Sequence, residues 1–128
     1  MPRERRIVLV LGAQGSGKST LARALFGAVR ARGGLVDGID PNGAIRGFEM
    51  PLDVEAWLAD RLPTHQEVGG RSRFVPARRK PELLVFDDAD RYLPKRPKDS
   101  SRWRQIALTN RHADVDVLLT GRRLQAFP

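Results

Sequence analysis

The 128-residue sequence contains no cysteine and only two histidines. The absence of cysteine excludes disulfide frameworks and thiolate-bound metal or redox centres. His65 and His112 have no other ligand residues at metal-binding spacing, so neither indicates a zinc site. Aromatic residues make up 6% of the chain, which is too few to imply a broad surface for stacking bases.

Long apolar runs are also missing. Near the N-terminus the longest run covers residues 7–11, and it follows Arg3, Arg5 and Arg6. A run of this length is too short for the core of a signal peptide or for a membrane-spanning helix. We therefore expect a soluble, cytoplasmic protein without a membrane segment. The chain length predicts a single domain over residues 1–128.

Positive charge is the main excess in the composition, with a formal net charge of +8. Most of it lies in residues 71–104, which carry 11 Lys and Arg against 5 Asp and Glu. Such clustering is typical of a surface that contacts nucleic acid, and it also fits a solvated surface rich in arginine. Residues 71–104 are therefore a candidate contact with DNA.

The most informative pattern lies at residues 12–20, which read GAQGSGKST. They complete the motif G-x-x-x-x-G-K-[ST] between an apolar strand pattern and a helical pattern. Glycines in such a loop let successive backbone N–H groups surround a phosphate chain, whereas an unrelated glycine-rich turn would need none of these flanks. The motif predicts binding of a nucleoside triphosphate, with contacts from Gly12, Gln14, Gly15, Ser16, Gly17, Lys18, Ser19 and Thr20.

Two side chains of this loop have distinct chemical roles. Lys18 would bring positive charge to the β- and γ-phosphates, and the Ser19 hydroxyl would ligate Mg²⁺. The helix that begins here directs its positive N-terminal end at the same phosphates. ATP and Mg²⁺ are therefore the expected ligands. The chain lacks the guanine-reading motif N-K-x-D, which favours ATP over GTP.

A second acidic motif follows the apolar residues 83–86. Asp87 fits the strand-end carboxylate that holds Mg²⁺ in phosphate-loop enzymes. Asp88 fits a base that orients the attacking water, and Asp90 is a second candidate for that role. Adjacent acids at a strand end can also be turn or capping residues.

Further candidates lie near the C-terminus. Thr120 ends the last strand pattern, where its hydroxyl could contact the attacking water or the γ-phosphate. Arg111 precedes that strand, and Arg122 and Arg123 follow it. An arginine that reaches a triphosphate stabilises transition-state charge. Each of these residues can instead be an ordinary surface or strand residue.

The hydrophobic pattern predicts alternating strands and helices. Strands are expected at residues 7–11, 35–39, 83–86 and 115–120, and helices at 18–31, 51–62 and 100–111. Residues 40–43, which read DPNG, predict a turn that closes the second strand. Residues 64–81 predict a loop, with a short strand at 72–75 as an option. On the first helix, the predicted buried stripe consists of Leu21, Leu25, Ala28 and Val29. On the second helix it consists of Leu52, Ala56 and Leu62, with Trp57 and Leu58 beside them. This alternation indicates an α/β fold with a parallel sheet and right-handed crossovers.

Four blocks, in the right order, resemble the HerA/FtsK superfamily of P-loop ATPases. Within it they are closest to the ATPase domain of the zonula occludens toxin (Zot)-like phage assembly proteins. The blocks are residues 12–20, 39–41, 86–94 and 110–123. The resemblance implies a three-layer α/β/α P-loop NTPase fold of the additional-strand type, in a truncated minimal version. Its sheet would be mainly parallel, with about four to five strands and the phosphate-loop strand at an edge.

The resemblance also implies an activity. It implies Mg²⁺-dependent ATP hydrolysis coupled to DNA translocation or packaging, or to phage assembly, by rings that are commonly hexamers. Asp88 stands where the family usually has glutamate, and Arg122 where many members have glutamine. The implied catalytic residues are Lys18, Asp88, Thr120, Arg122 and Arg111, and the implied metal ligands are Ser19 and Asp87.

Two alternative functions share the phosphate loop. A small-molecule kinase would use an arginine-rich segment, 71–80 or 94–104, as its lid. A nucleotide-gated binding module would bind ATP without hydrolysing it. Turnover that requires a small acceptor would indicate the kinase, and tight binding without turnover would indicate the module.

Overall fold

The computed structural model describes residues 7–12, 17–62, 64–75, 79–93 and 115–121. Its strands in chain order are β1 (Ile7–Leu11), β2 (Val36–Ile39), β3 (Thr64–Val68), β4 (Arg71–Val75), β5 (Leu83–Phe86) and β6 (Asp116–Gly121). The α-helices are α1 (Lys18–Ala31) and α2 (Val54–Ala59), and a short 3-10 turn covers Ala89–Arg91. The structure confirms the predicted order from β1 to α2, whereas β3 and β4 follow each other without a helix between them. The predicted helix at 100–111 lies outside the described residues.

Four of the strands form a parallel sheet in the order β1-β6-β5-β2. In register, Leu9 lies opposite Leu119 and Leu118 lies opposite Val85. β6 thus separates β1 from β5, although β6 comes last in the chain. β1 lies at one edge of the described sheet, as expected.

The central strands β5 and β6 are buried on both faces of the sheet, as is usual for parallel sheets. Successive residues of a strand point to opposite faces, so β5 contributes to two apolar clusters. Leu83 and Val85 pack with Phe26 of α1 in one cluster, whereas Leu84 and Phe86 pack in the other. The second cluster includes Trp57 and Leu58 of α2 and the Trp57 ring meets Phe86 edge-on. Burying each such side chain stabilises the fold by about 1.5–3 kcal/mol.

The predicted buried stripe of α1 is confirmed only at Val29, which packs against the core, and is wrong at Leu21, Leu25 and Ala28, which are exposed. The fully buried residues of this helix are Ala22 and Phe26, whereas Leu21 and Leu25 are half exposed. Both pairs have the i, i+4 spacing that puts residues on one helical face, so the pattern alone could not choose between them. Phe26 packs on the Phe48 ring, and that contact, made by a distant segment, determines the orientation of the helix.

The second helix is shorter than predicted. It begins after Asp53, whose side chain accepts a hydrogen bond from the Ala56 N–H and so caps the first turn. Leu52 therefore lies outside the helix and is fully exposed, contrary to the prediction that it joins the apolar stripe. Trp57, which the sequence placed beside that stripe, is buried.

The predicted loop at residues 64–81 is also wrong in part. β3 and β4 form an antiparallel hairpin, with Thr64 opposite Val75 and Val68 opposite Arg71. Gly69 and Gly70 make the two-residue turn, and both have positive φ. A Gly-Gly pair between two short segments is a hairpin signal, but the polar composition of these segments concealed it.

The parallel arrangement brings the carboxyl ends of β1, β2, β5 and β6 to the same edge of the sheet. Gly12, Asp40, Asp87 and Gly121 follow or end these strands there. The Gly12 N–H donates to the Gly121 carbonyl, at 3.1 Å, and continues the pairing of β1 with β6 beyond the strand. In the described ranges, no helix is both long and apolar enough to cross a membrane.

Candidate functional site

Lys18, the first residue of α1, lies at this carboxyl edge. Its side chain is buried, and Nζ donates to the Gly12 carbonyl oxygen at 3.2 Å. The same nitrogen lies 3.2 Å from Asp88 Oδ1. Gly17, just before the helix, has φ +89°, which glycine adopts without steric penalty. The two ends of the glycine-rich loop thus meet through the lysine side chain.

Thr120 connects the two acids that follow β5. Its buried hydroxyl donates to Asp87 Oδ1 at 2.6 Å. The Thr120 hydroxyl oxygen also accepts a hydrogen bond from the Asp88 N–H, at 2.9 Å. Thr120 can do this because β6 is the neighbour of β5 in the sheet. The hydroxyl therefore fixes both the side chain of one acid and the backbone of the other.

Asp87 is almost completely buried, with 3% of its surface exposed. Burial raises the pKa of this carboxyl above its ordinary value, and the nearby charges of Asp88 and Asp40 add to the rise. The Thr120 hydrogen bond and the Lys18 charge act in the opposite direction. A desolvated carboxylate among other acids is a favourable ligand for a cation, since a cation compensates for the lost solvation and for the repulsion between the acids.

Asp88 has an unusual backbone conformation. Among the described residues it is the only non-glycine residue with positive φ, at +48°. This left-handed conformation costs an L-residue about 1 kcal/mol, and aspartate is one of the few types that adopt it. It turns the chain sharply after Asp87, and the Asp88 carboxylate contacts Lys18 with Oδ1 and the Asn42 amide with Oδ2.

The turn after β2 contributes residues that the sequence analysis did not assign to the site. Asp40 is buried and accepts backbone N–H bonds from Asn42, Ala44 and Ile45 at 2.6–2.9 Å. The predicted turn is thereby confirmed, and Gly43 has the positive φ that it requires. The signal for a role in the site was available, because polar residues at the carboxyl end of a parallel strand lie at the usual ligand crevice.

Asn42 links this turn to the acidic segment. Its Nδ2 donates to Asp88 Oδ2 at 2.7 Å, and its Oδ1 accepts from Arg91 Nη1 at 2.6 Å. Tyr92 adds a contact with the end of β2, where its hydroxyl donates to the Ile39 carbonyl at 3.5 Å. Burial and the surrounding aspartates raise the pKa of Tyr92, so that its hydroxyl stays protonated.

The structure brings together six of the predicted site residues, which are Gly12, Gly17, Lys18, Asp87, Asp88 and Thr120. Ser19 and Thr20 lie in the first turn of α1, where Thr20 is exposed and the Ser19 side chain is outside the described part. The remaining predicted residues lie outside the described ranges, namely Gln14, Gly15, Ser16, Arg111, Arg122 and Arg123.

Within the described ranges, no group of three or more acids or histidines is arranged to hold a metal ion by itself. Mg²⁺ does not need such a cage, since it commonly binds one or two carboxylates together with phosphate oxygens and water. The buried Asp87 carboxylate at the sheet edge fits that mode of binding.

No protein-family model matches this sequence, and no curated protein is significantly similar to it.

Proposed function

We propose that this chain binds Mg·ATP at the carboxyl edge of its parallel sheet and hydrolyses it. One observation carries the proposal: the Lys18 ammonium of the glycine-rich motif lies 3.2 Å from Asp88, directly beside Asp87. The cation for the phosphates and the acids for metal and water thus lie within one side-chain length of each other. A chance match to the loop motif would require no such convergence.

The strand order supports the same proposal. β6 lies between β1, which leads into the loop motif, and β5, which leads into the acids. A P-loop fold of the additional-strand type has this insertion, and the resemblance to the HerA/FtsK and Zot-like ATPases implies that type. The inserted strand also explains why Thr120 can hydrogen-bond to Asp87 and to Asp88.

In the proposed mechanism, backbone amides of the 12–20 loop and Lys18 hold the triphosphate. Ser19 and Asp87 would hold Mg²⁺, which would supply positive charge to the β- and γ-phosphates. Asp88 orients a water molecule and accepts its proton. Thr120 aligns the two acids. Arg111, Arg122 or Arg123 supplies charge to the site of a neighbouring subunit.

The coupled process that fits the resemblance is DNA translocation or packaging, or phage assembly, by a cytoplasmic ring, commonly a hexamer. Two features support contacts with DNA and with other copies. Arg71 and Lys80 are exposed within the basic segment 71–104. Val8 on the edge strand and Leu21 and Leu25 on α1 are exposed apolar side chains, which a neighbouring subunit would cover.

A binding module without hydrolysis is the second candidate. Asp88 contacts Lys18 and Asn42, and a carboxylate held by two partners is less available to a water molecule. Nucleotide binding would then move the Lys18 ammonium from Asp88 to a phosphate. That exchange alone would change the conformation of the loop.

Calorimetry and phosphate release separate these possibilities. We expect heat on titration with Mg·ATP, release of phosphate, and faster release when DNA is added at low salt. Lys18→Ala should abolish the heat, whereas Arg46→Ala, which removes an exposed cation outside the loop motif, should not. Binding without release would identify the module, and release only with a small acceptor would identify a kinase. No heat with any magnesium nucleotide would contradict the proposal as a whole.

A further inference from the structure

Asn42 lies 46 positions before Asp88 in the chain, yet it is hydrogen-bonded to it. The contact depends on the turn after β2, where the Asn42 N–H donates to Asp40 Oδ1 at 2.9 Å. Because Asp40 also holds the two following N–H groups of Ala44 and Ile45, the backbone of the turn is anchored. Asn42 therefore presents its side chain from a fixed base.

The orientation of the Asn42 amide is determined by its two partners. A guanidinium can only donate, so the amide atom that faces Arg91 must be the oxygen. An ionised carboxylate can only accept, so the atom that faces Asp88 must be the nitrogen. Both contacts therefore require the same orientation of the Asn42 amide. Rotating the amide would break both hydrogen bonds.

We propose that Asn42 is a positioning residue for Asp88 and that Asp88 Oδ1 is the oxygen that accepts the proton of the attacking water. This inference rests on the proposed function. Oδ2 is held by Asn42, whereas Oδ1 faces Lys18. When Lys18 turns to the phosphates, Asn42 keeps its hold on Oδ2, so the carboxylate does not rotate. Oδ1 is then the oxygen directed at the phosphate site.

The reaction step balances with this assignment. The proton of the water moves to Asp88 Oδ1 while the water oxygen forms a bond to the γ-phosphorus. The bond from that phosphorus to the bridging oxygen breaks, and its electron pair leaves with ADP. Arg91 takes no part in these bonds. It acts through Asn42, whose amide it orients.

The first test separates turnover from binding. Asn42→Leu keeps the size of the side chain and removes the donor, so we expect kcat to fall about 10- to 100-fold. KM and the Mg·ATP dissociation constant should stay within about twofold, because Asn42 touches Asp88 and not the loop. Arg91→Gln should lower kcat less, about two- to fivefold, because the Asn42 amide can still reach Asp88.

Two comparisons make this test specific. Asn42→Asp is isosteric but sets a carboxylate against Asp88, so it should lower kcat at least as much as Asn42→Leu. Arg46→Ala changes an exposed residue of the same segment and should leave kcat unchanged. Wild-type kcat in Asn42→Leu would overturn the inference, as would equal losses of binding and turnover in that variant.

A second measurement does not depend on ATP. A double-mutant cycle of Asn42→Leu and Asp88→Asn, read as melting temperature, should give non-additive shifts because the two side chains are in contact. Additive shifts would overturn the inference even if ATP is hydrolysed. If the wild-type chain binds no nucleotide, the proposed function and the assignment of Oδ1 fail together. The cycle then still decides whether Asn42 holds Asp88.

Discussion

The Lys18 ammonium lies 3.2 Å from the Asp88 carboxylate, and this ion pair joins the start of α1 to the end of β5. Both side chains are largely buried, at 8% and 13% exposure, so solvent screens the pair only weakly. A triphosphate would compete with Asp88 for the same ammonium. The binding of nucleotide and the contact between Lys18 and Asp88 are therefore linked.

This competition predicts the effect of Asp88→Asn. The variant cannot accept a proton, so phosphate release should be abolished. It also removes the negative partner of Lys18, so Mg·ATP should bind as tightly as to the wild-type chain, or more tightly. Calorimetry and single-turnover phosphate release measure the two quantities. Unchanged turnover would exclude Asp88 as the base, and weakened binding would mean that the pair does not compete with phosphate.

Thr120→Val should destabilise the protein although it preserves the shape of the side chain. It leaves Asp87 Oδ1 and the Asp88 N–H without their hydroxyl partner in a buried site. We expect a loss of about 1–3 kcal/mol in the free energy of unfolding, measured by urea denaturation. Thr120→Ser, which keeps the hydroxyl, should retain most of that stability. Equal stability of the Val variant and the wild type would contradict the observed network.

Asp87→Asn should stabilise the protein at neutral pH while removing the proposed metal ligand. Burial raises the pKa of Asp87 above its ordinary value of 3.8, so the folded chain holds this proton more tightly than the unfolded chain. The contribution of Asp87 to stability therefore falls as pH rises from the unfolded to the folded pKa, and it stays low above both.

The asparagine variant avoids this cost, since its oxygen can still accept the Thr120 hydrogen bond. Its melting temperature at pH 7 should be higher than that of the wild type. The difference should shrink in acid below the unfolded pKa, and Mg·ATP should stabilise the variant less than the wild type. A lower melting temperature at pH 7 would show that ionised Asp87 is stabilising.

Charge reversal in the basic segment tests the proposed contact with DNA. Arg71→Glu and Lys80→Glu change two exposed residues, whereas Arg79 is kept because it pairs with Asp37 at 3.3 Å. The double variant should bind DNA more weakly and with a shallower dependence on salt, because fewer counterions are released. Mg·ATP affinity should not change. Arg46→Glu is the control outside the segment and changes the net charge by as much as either single variant, so a loss equal to that of the single variants would indicate a general effect of net charge.

Substitutions at the exposed edge of the sheet and on α1 test the proposed ring. Val8 is 41% exposed on β1, and Leu25 on α1 is exposed to the same extent. If a neighbouring copy covers this side, Val8→Lys with Leu25→Lys should shift the sedimentation profile from oligomer to monomer, with the melting temperature of the monomer little changed. Leu35→Lys, at another exposed apolar residue, is the matched control. A wild-type chain that sediments as a monomer with nucleotide present would contradict the ring.

The elements that could be predicted from the sequence are those with strong local patterns. The apolar runs of β1 and β5 and the turn after β2 are local signals, and the structure confirms them. The loop motif and the acids Asp87 and Asp88 could be identified because residue type and spacing carry their chemistry. The binding of ATP and Mg²⁺ stays a prediction.

The sequence by itself thus determined the α/β class of the fold. It also identified Lys18, Asp87 and Asp88 as candidate site residues. The tertiary structure alone decided that Ala22 and Phe26 face the core instead of Leu21 and Leu25, since both pairs have helical spacing. It also decided that Asn42 holds Asp88 and that Thr120 joins both acids. These contacts join residues 32 to 46 positions apart, and the order of strands in the sheet, which no local pattern encodes, brings them together.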